Sequence, residues 1–498
     1  MKKNFIRILS LVLVLTLGLS IVGCNRGDNG KNTDPVYDDV KVDENVYNKD
    51  KIYVGNTAAT TGASSYIGTP FNIGIRAAFA KYNAQGGFNG KEVELLHYDD
   101  GGKPEQSVTY MEKLIKEDDI FAVVGNFGAY AVNVNLSVIK ENGVPMVYAA
   151  AGNNALFNAN ATTEADKCIF PVQPLNQTEG QMLVLRAFAP MYNSNNEYLG
   201  GLGGTKVGVI SNSNEASQSM VAGIQAEAER SNLTGIVYQN VTTNDYSGAA
   251  SYLVAENCDV IIVTVVGTDF ISALSALAKV NYSKSVITTY NNSNASIFNN
   301  GSTMSDEGLA ILSKMTVYAQ AWLDITTTEY YFNEPDTGLY KAYAFKKMVA
   351  YDENGNALGV PGFTAEYWEI AKTIYDYVAS LGDNTLNPWQ LSYDSYALAG
   401  YIAGDLFCKA LTEMQAQGKS LTRANLIEIL ESKNFEVAMA GLISYKNGAR
   451  EGIQSFSLTV FYDTNTVTND GVHAASSMAI HPLTSTEEYR AILANANK

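Results

Sequence analysis

The chain has 498 residues, of which 46% are hydrophobic and 17% are charged. It is long enough to bury two hydrophobic cores and too long for one, so we expect two domains. The 51 acidic residues outnumber the 34 basic ones, and the resulting net charge of -17 argues against a nucleic acid as partner.

The cysteines predict neither a disulfide framework nor a zinc site. Past Cys24 they are Cys168, Cys258 and Cys408, an odd number without close spacing. We therefore interpret these three as small buried side chains.

Residues 1–23 have the order of a secretory signal peptide, with three basic residues before an apolar run over 8–22. The run is too short to span a membrane comfortably. Its end, IVGC at 21–24, resembles the bacterial lipobox. That resemblance implies cleavage before Cys24, lipid attachment to its sulfur and anchoring at the outer face of the bacterial cell membrane. An ordinary signal peptide with an incidental cysteine is the alternative.

Residues 25–50 are polar, acidic and poor in large aliphatic side chains. Such a segment cannot repay the entropy of folding, so we predict that 24–50 forms a lipidated, flexible tether. As a flexible coil its ends would lie roughly 25 to 30 Å apart, enough to hold a globular receptor just above a membrane.

Residues 51–100 predict a strand, a polar loop, an amphipathic helix and a second strand. Residues 52–54 form an apolar strand, apolar residues recur at helical spacing over 71–82, and Gly86-Gly87 ends the helix before a strand that begins near Val93. The Gly/Ser/Thr loop therefore lies at a helix N-terminus. Free backbone N–H groups in such a loop favour a small anionic or polar ligand.

Three motifs in this segment carry a family resemblance: T-G-x-x-x-x-x-G from Thr61, N-A-x-G-G from Asn83 and the pair Asp99-Asp100. Together they closely resemble the opening of bacterial periplasmic-type amino-acid-binding proteins, in the leucine/isoleucine/valine-binding family. The resemblance covers most of 51–325 and resumes at Tyr393. It implies an α/β fold of two doubly wound parallel-sheet domains joined by three crossovers, the type I periplasmic binding protein-like fold.

Further along, the chain alternates short apolar runs with helical patterns, as parallel sheets covered by helices on both faces do. The predicted strands lie near 120–124, 144–148, 206–210, 259–266, 286–290 and 456–461. We predict domain 1 at 51–172 and 322–442, domain 2 at 173–321 and 443–485, and a C-terminal tail at 486–498. The crossovers are predicted near 171–174, 316–324 and 442–446.

The segment 325–391 is longer than the resemblance leads us to expect. It includes a predicted helix over 364–380 whose apolar residues share one face. We interpret this face as core packing, and a lid over the cleft or a docking face for a partner is the alternative. The face consists of Tyr367, Ile370, Ala371, Ile374 and Val378.

In open α/β sheets ligands bind beyond the carboxyl ends of the strands, so the loops after the strands form the candidate site. Each loop taken singly could equally be only a turn. The candidate ligand-binding residues are Ser64, Ser65, Tyr66, Phe127, Gly128, Ala129, Tyr130, Ala151, Gly152, Asn153, Glu215, Asp269, Tyr290, Trp322 and Asp324.

The resemblance implies ligand contacts that this chain only partly keeps. Relatives place small hydroxyl residues at the positions of Ala129 and Gly152, and an acidic partner for a ligand ammonium group at or beside Tyr290. Backbone donors can persist in these loops, but the side chains differ. We therefore expect leucine, isoleucine and valine to bind weakly or not at all.

Aromatic and acidic residues in the candidate loops bear on the ligand class. The aromatic ones predict that a larger or aromatic amino acid or an amine binds, by stacking or by a cation-π contact. The acidic ones could meet a ligand ammonium group, and each could equally be a solvated acid or a helix cap. The aromatic residues are Tyr66, Phe127, Tyr130 and Trp322, and the acids are Glu215, Asp269 and Asp324.

The resemblance implies binding by two domains that close over a ligand. We expect the monomeric solute-binding lipoprotein of an ABC importer, which presents an amino acid or a related small polar molecule to a membrane permease. A ligand sensor that signals to a membrane partner is the alternative function, and amides, aromatic acids or amines are the alternative ligands. We expect no enzyme activity, cofactor or metal, because no catalytic motif is found and the chain has only three histidines.

Overall fold

The computed structural model describes the chain from residue 37 to residue 496, with internal gaps. The predicted signal peptide, Cys24, Phe127 and Asp324 lie outside the described residues. Within the described part, no helix is long and apolar enough to cross a membrane. The gaps are 38, 127, 150, 302, 324–328, 334–339, 345–348, 352–356, 362–364, 393 and 469–470.

A five-stranded parallel sheet organises the first part of the chain. Its elements are β1 (Ile52–Ala58), α1 (Ser65–Ala84), β2 (Val93–Asp99), α2 (Pro104–Lys116), β3 (Ala122–Val124), α3 (Ala129–Glu141), β4 (Met146–Ala149), α4 (Glu164–Lys167) and β5 (Ile169–Pro171). The strand order is β2-β1-β3-β4-β5, and all pairs are parallel. Val54 and Val123 are completely buried, as expected where helices cover both faces.

The middle of the chain builds the parallel part of a second sheet. Its elements are α5 (Asn176–Phe188), β6 (Val207–Asn212), α6 (Glu215–Arg230), β7 (Ile236–Val241), α7 (Ser247–Ala255), β8 (Val260–Val263), α8 (Thr268–Lys279), β9 (Ser285–Thr288), β10 (Asn299–Asn300), β11 (Thr303–Met304), α9 (Asp306–Leu312) and β12 (Thr316–Ala321). The strands β7, β6, β8, β9 and β12 pair in parallel in that order.

Two hairpins and four helices follow. They are β13 (Glu329–Asn333), β14 (Tyr340–Ala344), β15 (Val349–Tyr351), β16 (Ala357–Pro361), α10 (Ala365–Ser380), α11 (Pro388–Ser392), α12 (Ser395–Ala416) and α13 (Arg423–Ser432). The apolar face predicted for the helix at 364–380 is buried, with Ile374 completely so. Its interpretation as core packing is confirmed.

The last part of the chain adds a hairpin and two strands of the second sheet. It consists of β17 (Asn434–Val437), β18 (Gly441–Ser444), β19 (Ser455–Asp463), α14 (Asn465–Thr468), β20 (Ala475–Ser485) and α15 (Thr486–Ala496). β17 and β18 form a hairpin, whereas β19 and β20 join the second sheet antiparallel, in the order β20-β19-β12-β9-β8-β6-β7.

The buried apolar side chains form a separate core on each sheet. The core on the first sheet uses residues within 42–175 and 367–453, and the clusters on the second sheet use residues within 182–319 and 456–493. We call these two halves the first lobe and the second lobe. The predicted α/β class with a parallel sheet in each of two domains is confirmed, and the three cysteines past Cys24 are buried and free as predicted.

The chain returns to the second lobe later than predicted. We expected a crossover near 442–446 and domain 2 from 443, but Tyr445 is completely buried in the first lobe, where its hydroxyl donates to the Pro171 carbonyl (2.9 Å). Ile453 still belongs to the first core. The predicted boundary is therefore wrong, and the return lies just before β19.

The end of the predicted tether and the predicted C-terminal tail both pack on the lobes. Val42 is buried and its N–H donates to the Glu164 carboxylate (2.7 Å), so the predicted tether is too long at its C-terminal end. The predicted tail at 486–498 contains α15, whose Tyr489 is completely buried. In the tether, buried residues such as Val42 offset the ordering entropy that the polar composition led us to consider decisive.

Glycines let helices touch in both lobes. A Cβ placed on Gly74 of α1 would lie 1.9 Å from a backbone oxygen of α12, and one on Gly400 of α12 would lie 1.9 Å from the Phe71 oxygen of α1. Gly180 of α5 and Gly223 of α6 form the same kind of contact in the second lobe, at 2.0 and 1.9 Å. Only glycine allows these backbones to approach so closely.

Candidate functional site

Each sheet has one point where the strand order reverses, and ligands of such folds bind in the crevice at that point. In the first lobe it lies between β1 and β3, whose loops lead into α1 and α3. In the second lobe it lies between β6 and β8, whose loops lead into α6 and α8. The predicted residues Ser64, Gly128, Glu215 and Asp269 lie in or directly after these four loops.

A cavity of about 200 Å³ lies at the switch point of the first lobe. The N-termini of α1 and α3 meet there, and neither has a side-chain cap, which favours a polar or anionic group of a ligand. Ligand sites usually measure about 300 to 1,000 Å³, so this cavity suits one part of a ligand. It is lined by Ala58, Ala59, Ser64, Ile67, Gly68, Gly128 and Tyr130.

Asp99 fixes the polar loop after β1. Its carboxylate accepts hydrogen bonds from the N–H groups of Thr60 and Thr61 (2.8 and 3.2 Å) and from the Thr61 hydroxyl (2.5 Å). Burial opposes the charged form, but these hydrogen bonds outweigh it and lower the pKa of Asp99 to about 2. Two N–H groups of the loop that we expected to be free for a ligand are therefore taken by Asp99.

The ring of Tyr130 forms a wall of the cavity, and Asp100 holds it in place. The Tyr130 hydroxyl donates to Asp100 Oδ1 (2.9 Å), and this carboxyl group is completely buried. Burial and the hydrogen bond to Asp100 raise the pKa of Tyr130, so the phenol stays neutral. Tyr66, which we predicted in the same aromatic pocket, is largely exposed and packs its ring against Tyr396 at 6.1 Å.

The two lobes touch where the loop after β4 meets the second lobe. The Asn154 N–H donates to Glu215 Oε1 across the cleft (3.0 Å). Close by in the chain, a Cβ placed on Gly152 would lie 2.9 Å from Asn176 Oδ1 and 3.5 Å from Tyr290 Oη. Gly152 and Tyr290, two of the predicted ligand-binding residues, are therefore neighbours.

Glu179 is a buried carboxylate that the sequence analysis missed. It lies in the first turn of α5, accepts the Tyr290 N–H at Oε1 (2.6 Å) and accepts the Thr289 hydroxyl at Oε2 (2.8 Å). Burial raises the pKa of Glu179 to about 7, although both hydrogen bonds favour the charged form. Glu179 thus holds the loop that carries Tyr290 from a position 111 residues away in the sequence.

Tyr148, at the end of β4, combines backbone strain with an unpaired hydroxyl. Its φ is 61°, a left-handed conformation that is costly for a bulky residue. It is completely buried, and its hydroxyl has no hydrogen-bond partner in the described part of the chain. Asn153 Oδ1 is likewise buried and unpaired there, while Asn153 Nδ2 donates to Asn133. Strain and unpaired buried groups concentrate at ligand sites.

The other predicted residues make contacts elsewhere in the cleft region. Asp269 accepts a hydrogen bond from Asn212 Nδ2 (3.0 Å). Trp322 is half-buried and packs against apolar clusters of both lobes. In the described residues, no group of histidine, cysteine and acidic side chains could hold a metal ion. Ser65 begins α1, Ala129 begins α3, and Ala151 is buried after β4.

The raised pKa of Glu179 predicts a pH-dependent stability. The pKa of about 7 in the folded protein lies above the ordinary 4.5. The contribution of Glu179 to the free energy of unfolding is therefore fully present below pH 4.5 and is lost as the pH rises through 7. At about 1.4 kcal/mol per unit, the loss amounts to about 3 kcal/mol. Glu179→Gln should abolish it. Urea unfolding of both proteins at pH 5 and pH 8 measures the difference.

The exposed Glu428, which pairs with Lys419, provides the control for this prediction. Glu428→Gln should keep the pH dependence of the wild type. A free-energy difference between wild type and Glu179→Gln that stays constant from pH 5 to pH 8 would contradict the assignment.

The strand orders, the two switch points and the contacts between the lobes define a two-lobed α/β protein with the type I periplasmic binding protein fold. The chain belongs to the periplasmic binding protein family, whose sequence profile matches residues 51–387. The predicted resemblance to bacterial periplasmic-type binding proteins is thereby confirmed.

Several relatives are named as amino-acid-binding proteins. The chain is 33% identical over 96 residues to Leu/Ile/Val-binding protein homolog 2 of Brucella abortus, which covers 19% of this chain and 26% of the relative. It is 21% identical over 213 residues to the Leu/Ile/Val-binding protein of Escherichia coli. This match covers 42% of this chain and 53% of the relative. The chain therefore aligns with between a quarter and about half of the length of these relatives.

Solved structures share the fold over nearly their whole length. An extracellular ligand-binding receptor from Verminephrobacter eiseniae has a TM-score of 0.54 at 18% identity, covering 82% of this chain and 97% of that one. A leucine binding protein from Thermotoga maritima has a TM-score of 0.52 at 16% identity, and the match covers 88% of this chain and 99% of that one. A fatty acid ABC transporter substrate-binding protein from Thermomonospora curvata has a TM-score of 0.52 at 13% identity, and the match covers 90% of this chain and 96% of that one. The shared fold thus accommodates different ligands.

Proposed function

We propose that the chain is the solute-binding component of an ABC importer and binds an amino acid or a related small polar molecule between its lobes. The observation that carries the proposal is the contact between the lobes, where the Asn154 N–H in the loop after β4 donates to Glu215 at the switch point of the second lobe. The family membership and the names of the relatives support the class of ligand. The importer's membrane permease is then the partner that receives the ligand.

The lobes correspond to two domains that close over the ligand by hinge motion. Domain 1 comprises 51–175 and 322–453, and domain 2 comprises 176–321 and 454–496. These boundaries keep the second predicted crossover and move the first to the start of α5 and the third to the start of β19, because Leu175 and Ile453 pack in the first core. The connections between the domains are the segments that bend.

Ligand binding is tested by thermal melts with a panel of amino acids, amines and amides. A ligand at about 100 times its dissociation constant stabilises the folded state by about 2.7 kcal/mol. We expect larger or aromatic compounds to raise the melting temperature more than leucine, isoleucine or valine, because Ala129 and Gly152 lack the hydroxyl groups that the family resemblance implies at those positions. Mass spectrometry of molecules released from the purified protein provides an independent test. The proposal fails if the folded protein responds to no compound and releases none.

The mature N-terminus is proposed to be a lipidated Cys24. The motivation is the IVGC sequence at 21–24, after an apolar run of signal-peptide length. Metabolic labelling with an alkyne fatty acid should mark the wild type and leave Cys24→Ala unmarked. A matched Cys168→Ala variant, which alters a buried cysteine, should label as strongly as the wild type. If Cys24→Ala is labelled as strongly as the wild type, Cys24 is not the lipidated residue.

A further inference from the structure

Each of the two large sheets ends in two edge strands, whose outer backbone groups have no strand partner in the described part of the chain. Proteins usually protect such edges with charged residues, prolines, bulges or very short strands. Three of these four edges are protected in this way. β2 carries Glu94 and Asp99, β5 has three residues and ends in Pro171, and β20 has register shifts against β19 and contains Pro482.

The fourth edge strand, β7, lacks each of these protections. Its sequence IVYQNV contains no charged residue and no proline, and it pairs with β6 without a register shift. The uncharged stretch extends over 231–244, in a chain whose net charge is -17. Identical acidic molecules repel each other, so an uncharged edge lets two copies approach where the repulsion is weak.

The backbone groups of β7 point alternately to β6 and to the open side. The Val207 N–H of β6 donates to the Gly235 carbonyl (3.0 Å), so Gly235 and every second residue after it face β6. The intervening residues therefore direct their N–H and C=O groups outward. These residues are Ile236, Tyr238 and Asn240.

Tyr238 is the middle one of the three outward-facing residues, and its side chain is 37% exposed. Its carbonyl accepts a hydrogen bond from the side chain of Gln239 (2.9 Å), an exposed bond that can exchange for one to another strand. Two identical antiparallel strands are related by a two-fold axis, so Tyr238 can lie opposite Tyr238 of a second copy. Aromatic side chains that lie opposite each other stabilise an antiparallel pair.

We propose that β7 pairs antiparallel with β7 of a second copy and joins two second-lobe sheets into one continuous sheet. The pairing is closed by its two-fold axis, so assembly stops at a dimer. The interface leaves the end of the tether, which packs on the first lobe, outside it. The inference goes beyond ligand binding and departs from the monomer expected in the sequence analysis, because the strand order that exposes β7 is not visible in the sequence.

Sedimentation equilibrium of the purified protein, from micromolar to submillimolar concentrations, tests the pairing. We expect a monomer–dimer equilibrium that follows mass action, without larger species. A monomer at every concentration overturns the second copy as the partner of β7 and leaves the edge to solvent or to an extended segment of another protein. Growth into larger species overturns the closed two-fold pairing.

Tyr238→Lys places two like charges opposite each other across the two-fold axis, and lysine is a common protection of edge strands. The dissociation constant of the dimer should rise at least ten-fold. Leu442→Lys is the matched control, because it adds the same charge at an exposed position of β18 in the first lobe and should not weaken the dimer. A folded Tyr238→Lys protein that dimerises as tightly as Leu442→Lys overturns the assignment of the interface to β7.

Amide hydrogen exchange of the wild type tests the strand pairing without a substitution. The N–H groups of Ile236, Tyr238 and Asn240 should exchange at least ten-fold more slowly in concentrated than in dilute protein. Those of Val237 and Gln239, which face β6, should exchange equally slowly in both. A protein that dimerises without this concentration-dependent protection overturns the pairing of β7.

Discussion

Replacing Gly400 by valine should destabilise the first lobe by about 3 kcal/mol, the upper end of the usual cost of overpacking. Any Cβ at this position would lie 1.9 Å from the backbone oxygen of Phe71, so α12 must move away from α1. Since α1 carries the loop that lines the cavity, ligand binding should weaken as well. The melting temperature and the free energy of unfolding in urea measure the first effect.

Gly248→Val is the matched control for this prediction. Gly248 lies in the first turn of α7, and a Cβ there would meet nothing within 4 Å. Its replacement should change stability by less than about 1 kcal/mol, because only helix propensity is altered. Equal stabilities of the two variants would contradict the close packing of α1 and α12.

Arg450→Leu should destabilise the first lobe by about 3 to 5 kcal/mol, the cost of breaking a buried ion pair. The guanidinium is almost completely buried, donates to Glu431 Oε1 (2.6 Å) and to the Lys167 carbonyl (2.8 Å), and lies 4.3 Å over the ring of Phe170. Leucine would leave the Glu431 carboxylate and the carbonyl without a partner. Urea unfolding at pH 7 measures the loss.

An exposed ion pair provides the comparison for Arg450. Lys372 bonds to Asp376 one turn away on α10, with both side chains about half exposed. Lys372→Ala should therefore cost less than about 1 kcal/mol. If Arg450→Leu costs no more than this control, the buried pair does not hold the β17–β19 segment on the first lobe.

The sheets could be predicted from the sequence because their signals are local. Each short apolar run between helical patterns became a strand near its predicted position. The third crossover was placed too early because what keeps Tyr445 and Ile453 in the first lobe is packing against residues far away in the chain. The hairpins β13 to β16 were not predicted, since the long segment that contains them has no clear two-residue periodicity.

The candidate site was predictable to the level of loops and not of side chains. Strand ends fix where loops lie, and on that basis Ser64, Gly128 and Tyr130 were predicted and line one cavity. Glu179 was missed because its partners, Thr289 and Tyr290, are on a distant loop. Asn176 was missed for a related reason, since its position at a helix start gave no sign that it would lie beside Gly152.

The central claim is that a small molecule binds between the lobes and draws them together, and solution X-ray scattering tests it most directly. The radius of gyration should fall when the compound with the largest thermal shift is added at saturation. Gly152→Trp, whose side chain would occupy the junction of the lobes, should show no such change. A scattering profile of the wild type that is identical with and without saturating ligand would contradict closure over a cleft.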